Sequence, residues 1–208
     1  LAQAAFYVAL AAAILGAIAV PAMAGAQTRA VLTITDGPAH VLRGALKFDA
    51  AEGLALADDD IVRTTAATRV ARIEFADGRA LDLGPATQAL LLSDRAAQAQ
   101  GWTGASAVLL TGWAKLSAGA AVSKLVLPHA VVAGDARGVL LAHGTADGAA
   151  LAFAESRGLA VGSDRGGASR GKPVLARPGG RPAERGPEPA ERRSALRVLR
   201  EHLVEPDR

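Results

Sequence analysis

The 208-residue chain contains no cysteine. That excludes disulfides, thiolate metal sites, a cysteine nucleophile and a lipid anchor on cysteine. Aromatic residues are nearly as scarce: Trp102, Trp113, Tyr7 and four phenylalanines. Half of the residues are hydrophobic, so a core has to be built from Ala, Val and Leu, which suits thin, closely spaced layers. The sequence also lacks a Gly-x-Ser-x-Gly elbow and a phosphate-cradling glycine loop; "GDARG" at Gly134 to Gly138 is too short and follows no strand-to-helix pattern. His40, His129, His143 and His202 show no metal-ligand spacing. Asp58-Asp59-Asp60 lacks the EF-hand pattern and reads as a turn with solvated charges. No pair of carboxylates stands out for acid/base work. The chain is therefore expected not to be an enzyme, and to need no metal or cofactor.

Charge is divided along the chain. Residues 27–156 carry 11 Lys/Arg against 13 Asp/Glu, whereas residues 157–208 carry 12 against 7. The basic character belongs to the tail, so the folded part has no electrostatic reason to bind nucleic acid, and none is expected as a partner. Residues 1–26 have no charge at all, and the apolar run ends at Pro21 ahead of two small-x-small sites, Ala22-Met23-Ala24 and Ala24-Gly25-Ala26. That is the grammar of a signal peptide, without the basic n-region. If it is not cleaved, residues 1–20 are long enough for an N-terminal membrane anchor. Either way, the remainder is expected to be delivered across a membrane.

From Arg29 to about Val161 apolar and polar residues alternate, broken every 8 to 12 residues by Gly, Asp or Pro. Short strands at that spacing predict an all-β domain over 27–162, a sandwich, barrel or solenoid. One short helix is predicted at Asp94 to Gln100, and "SKLVLPHAVVAGDARGVLLAHG" is read as two strands. The stretch "VARIEFADGRALDLGP" allows a parity test. A two-residue Asp-Gly loop would oppose Glu74 to Leu81 and mix the faces, so an odd loop or a bulge is required. A three- or five-residue loop or such a bulge is expected, with Gly78 at positive φ; Asp77-Gly78-Arg79, for example, sets Phe75 against Leu81 and Ile73 against Leu83. Residues 163–193 are Gly, Pro, Arg and Glu with almost nothing to bury, which predicts a disordered linker. In 194–205, Leu196, Leu199 and Leu203 share one helical face behind a capping Ser194. A helix this short needs a surface, either its own domain or a partner.

The ordered region resembles the FecR-like domain family of bacterial envelope proteins. The resemblance rests on Leu56, Asp59-Asp60-Ile61-Val62-Arg63-Thr64 and the run Ala71 to Leu83, with looser likeness at Pro128 to Val132, Arg137-Gly138 and the closing strand pair. Arg79 stands where the family has Ser or Thr, and Asp59 where it has Gly. The resemblance implies a compact, all-β, periplasmic FecR-like module of sandwich or solenoid type. Signalling members carry a helical anti-sigma segment before their membrane helix; no such segment stands ahead of the apolar run in this sequence, so sigma-factor regulation is not expected to carry over. The expectation is a periplasmic, non-enzymatic interaction or scaffold protein of an envelope assembly, with an envelope protein as partner. The alternatives are a sensor or binder of envelope polysaccharide and a FecR-type transmembrane signalling regulator. Candidate partner-binding residues are Arg79, Trp102, Trp113, Leu196, Leu199 and Leu203. Trp102 and Trp113 are expected to plug the core at the ends of the sheet; exposed, they would stack on sugars.

Overall fold

The computed structural model describes residues 29–120, 122–134, 136–146, 150–154, 160–162 and 174–176. The expected signal peptide or anchor and the helix bearing Leu196, Leu199 and Leu203 lie outside them. In chain order the elements are β1 (Ala30–Asp36), β2 (Ala39–Arg43), β3 (Leu46–Asp49), β4 (Ala55–Leu56), β5 (Ile61–Thr64), β6 (Val70–Phe75), β7 (Ala80–Leu83) and β8 (Gln88–Leu91). The short helix α1 (Asp94–Ala99) follows, then β9 (Ala105–Ser117), β10 (Ser123–Leu127), β11 (Ala130–Gly134), β12 (Val139–Gly144), β13 (Ala150–Ala154), β14 (Ala160–Gly162) and β15 (Val174–Ala176). Over the described residues the protein is all-β with one short helix, as the alternation predicts. The stretch read as two strands holds three, β10, β11 and β12, because Pro128-His129 is enough to turn the chain between the first pair. β15 pairs with β13 inside the stretch expected to lack structure.

All strands belong to one curled sheet, a half-barrel ordered β3-β2-β5-β8-β9-β7-β6-β1-β4, with β10 and β12 each added on β9. Every pairing is antiparallel except β9 with β10. The long β9 serves two walls. Its first half pairs with β8 and β10, and its second half with β7 and β12. The register skips Leu110 opposite β8, a bulge that shifts the alternation by one. Gly112, at φ +88°, then carries the strand into the second wall.

The concave side of the curl is the core. Val41, Val62, Ala89 and Leu109 oppose one another across the first wall. Leu32, Ile73, Leu81, Leu116 and Leu140 do so across the second. All nine belong to one buried cluster. Each Leu, Ile or Val so buried is worth about 1.5–3 kcal/mol, so the scarcity of aromatics is made good by number. On the convex side of the first wall, α1 is capped by Ser93, whose hydroxyl accepts from the Ala96 N–H at 3.0 Å. It covers a second, smaller cluster of Leu92, Ala97, Ala105, Val108 and Val126.

The β6–β7 hairpin keeps the odd parity and the positive φ of Gly78, +81°, but its centre lies one residue earlier than expected. The Phe75 N–H donates to the Arg79 carbonyl at 2.9 Å, leaving Ala76-Asp77-Gly78 as the loop. Ile73 therefore faces Leu81 and Ala71 faces Leu83, two positions from the predicted pairing. The physical reason lies on the other face. The predicted register sets Glu74 against Asp82, whereas the observed one sets Arg72 there, at 2.6 Å.

Candidate functional site

Three of the charged pairs are structural. Asp60 is fully buried: it accepts from Arg43 Nε and Nη2 at 2.8 and 2.7 Å and from the Ala57 N–H at 2.8 Å. The triple acid is thus a turn, with Asp59 at φ +65°, but one of its charges is not solvated. An acid surrounded by letters like itself gives no sign in the sequence of which one turns inward. Asp82 is likewise buried, between Arg72 at 2.6 and 3.1 Å and Lys115 at 4.0 Å. The hydrogen bond from each guanidinium to its acid raises Arg43 and Arg72 above the ordinary arginine value. Arg79 forms the third pair, with Asp77 at 2.7 Å, and its hydrogen bond holds the Asp77 carboxyl below the usual range.

Arg79 was a partner candidate because the resemblance expects a small hydroxyl there. Its guanidinium is instead folded back on the chain. Besides Asp77 it donates to the Gly104 carbonyl at 3.3 Å and to the Ser106 hydroxyl, and it lies 5.5 Å from the Phe75 ring centre. The side chain ties the hairpin loop to the start of β9. Neither tryptophan plugs the main core. Trp102 is half-buried against the small outer cluster beneath α1. Trp113, also half-buried, stacks on His143 across β9 and β12, ring centres 4.1 Å apart and 18° from parallel. Burial holds the His143 imidazole below its ordinary pKa, because the charged form loses water there. Both indoles follow Gly residues where the chain passes outward, which is why they miss the concave side.

Two surface features on the first wall were not anticipated. One is an apolar row on its convex face. Cross-strand partners run Leu42, Ile61, Leu90, Val108, Val126, Val131 over β2, β5, β8, β9, β10 and β11. Helix α1 and Trp102 roof its middle; Leu42, Ile61 and Val131 toward its ends are only half-buried.

The other is a cleft of about 460 Å³ beside that row, lined by His40, Leu42, Lys47, Arg63, Thr65 and Gln88 among others. His40, Arg63 and Gln88 are direct neighbours across β2, β5 and β8. His40 Nδ1 lies 3.0 Å from Asp49 Oδ1, which fixes the ring. Lys47 and Arg63 have no hydrogen bond or ion pair among the described residues. Sequence reasoning passed over these residues because each is an ordinary outward position of a half-buried strand. Their convergence depends on pairing between segments some twenty residues apart. A partial signal was present: "IVRT" and "ALKF" each put a cation on the solvent face of a strand.

Among the described residues no group of His, Asp and Glu converges as a metal site, and no helix is long and apolar enough to cross a membrane. A scan of protein-family models, a search of characterised proteins and a search of solved structures each return no match to this chain.

Proposed function

We propose that this chain is a non-enzymatic interaction module of a bacterial envelope assembly, a FecR-like β domain exported through residues 1–26. The observation that carries the reading is the apolar row across six strands of the first wall. A sheet face open to water ordinarily alternates polar residues outward. Along this row the outward positions are Leu, Ile and Val, and among the described residues a six-residue helix and Trp102 roof its middle. The partner of best fit is an envelope protein offering an apolar segment to the ends of that row.

The test is site-specific photo-crosslinking of the full chain in its native envelope. Probes at Ile61 and Val131 should each give the same discrete protein adduct, and a probe at Glu74 on the second wall should not. Equal labelling from both walls, or no adduct from the row, would refute the reading.

A polysaccharide binder is the second reading, favoured by one observation: both indoles lie outside the main core. Against it, one face of Trp113 is already taken by His143. Indole fluorescence that shifts saturably on adding envelope glycan, and fails to do so in Trp102→Ala, would select this reading.

A further inference from the structure

We propose that the cleft between β2, β3, β5 and β8 is a binding site for a sugar-sized ligand that carries an oxyanion, a phosphate or a carboxylate. This goes beyond the interaction reading and does not depend on it, since the cleft and the apolar row can be disabled separately.

The argument begins from how this chain treats its other arginines. Arg29, Arg43, Arg69, Arg72 and Arg79 each hold an aspartate at 2.5–3.1 Å. Arg63 and Lys47 do not, although the domain is acidic by count and acids are available to pair them. Arg95 and Arg137, the other described arginines without an ion pair, do not line this cleft. Arg63 and Lys47 both line the same cleft, entering it from β5 and β3 on either side of β2. Two unpaired cations facing one concavity outnumber the single acid at its rim, and the net positive potential draws anions.

The remaining lining defines the ligand. A guanidinium presents a planar fork that matches the two oxygens of a carboxylate or phosphate, and an ammonium adds a point charge from the other side. His40 is held through Nδ1 by Asp49, which leaves Nε2 free to meet a bound group. Asp49 is the one acid at the site, and it is spent on that ring at the outer rim, with 95% of its side chain exposed. The Gln88 side chain has no hydrogen-bond partner among the described residues, so its amide is available to hydroxyls. Leu42, Ala66 and Ala86 supply small apolar contacts suited to the carbon faces of a sugar ring. At about 460 Å³ the space lies toward the small end of ligand sites, which favours one or two sugar units over a folded partner.

The experiment is calorimetric titration of the full chain with four probes: inorganic phosphate, glucose 1-phosphate, glucuronate and glucose. Saturable binding of glucose 1-phosphate or glucuronate, weakened by added salt, is expected; which of the two binds more tightly identifies the oxyanion. Arg63→Gln and Lys47→Gln should each weaken that binding by about tenfold or more, whereas Arg95→Gln should leave it unchanged. These positions are exposed, and unchanged melting temperatures will show that the variants fold. The proposal is overturned if none of the three anionic probes saturates, if glucose binds as well as they do, or if Arg95→Gln weakens binding as much as Arg63→Gln.

Discussion

An alanine at position 112 would place its Cβ 2.5 Å from Thr87 Cα and 2.8 Å from the Ala86 carbonyl oxygen. Both are backbone atoms, so neither can swing aside. Gly112 also sits at φ +88°, where a side chain costs about 1–2 kcal/mol through the backbone alone. Crowding in a packed region adds about 1–3 kcal/mol. Gly112→Ala should therefore destabilise the protein by about 2–5 kcal/mol, a large share of the 5–15 kcal/mol typical of a domain. Gly78→Ala is the matched control. Its φ of +81° is nearly the same, but a Cβ there meets nothing within 4 Å. It carries the backbone term alone, partly offset by a less flexible unfolded chain. Urea unfolding of both variants, followed by Trp113 fluorescence and by circular dichroism, separates the two contributions. With a slope of about 1–3 kcal/mol per molar urea, crowding of about 1–3 kcal/mol should put the Gly112→Ala midpoint about 0.3–3 M below that of Gly78→Ala. Coincident midpoints would refute the claim that β9 bends here under close contact with Thr87.

Asp82→Asn should cost about 1.5–3 kcal/mol, because the buried carboxylate accepts two charged hydrogen bonds from Arg72. A double-mutant cycle with Arg72→Gln should show coupling, whereas the cycle with Glu74→Gln should show almost none; the reverse would favour the register expected from sequence. His143 gives a pH dependence with a definite sign. Its folded pKa lies below the ordinary 6.5, so the unfolded chain binds the proton more readily. Stability from this residue is intact above pH 6.5 and is lost as pH falls from there toward the lower folded value. Thermal melts of the wild type should show that decline and His143→Phe should not; identical slopes would contradict the desolvated stack on Trp113.

The all-β class was legible because alternation survives in nearly every segment, from "AVLTITD" to "ALAFA". The helix Asp94–Ala99 was legible from its Ser93 cap and local run. The odd hairpin loop followed from parity alone, since a face mismatch would bury Glu74 or Asp82 in the core. Its centre did not follow, because two registers of equal parity differ only in whether Glu74 or Arg72 meets Asp82, a difference of order 1 kcal/mol. The bend at Gly112 was hidden in a segment that reads as one apolar strand. Nothing local says that Thr87 will pass beneath it and bond the Trp113 N–H at 2.9 Å. The same holds for the cleft. His40, Arg63 and Gln88 meet only after β2, β5 and β8 have paired, so the candidate site is a property of the topology and not of any motif. The two tryptophans misled for a related reason. Scarcity of aromatics argues for using them inside, but here Ala, Val and Leu fill the concave side and leave the indoles to the convex one.

The double service of β9 has a consequence for the order in which the chain can become a protein. Without it, β3-β2-β5-β8 and β7-β6-β1-β4 are two separate four-stranded pieces. Each would leave an edge strand, β8 or β7, without its partner, although five crossings of the chain already tether one piece to the other. The two edges are joined only when Ala105–Ser117 arrives and pairs with both pieces at once. Contacts of that separation are slow to form. The sheet thus becomes continuous only after the first half of the chain has been made.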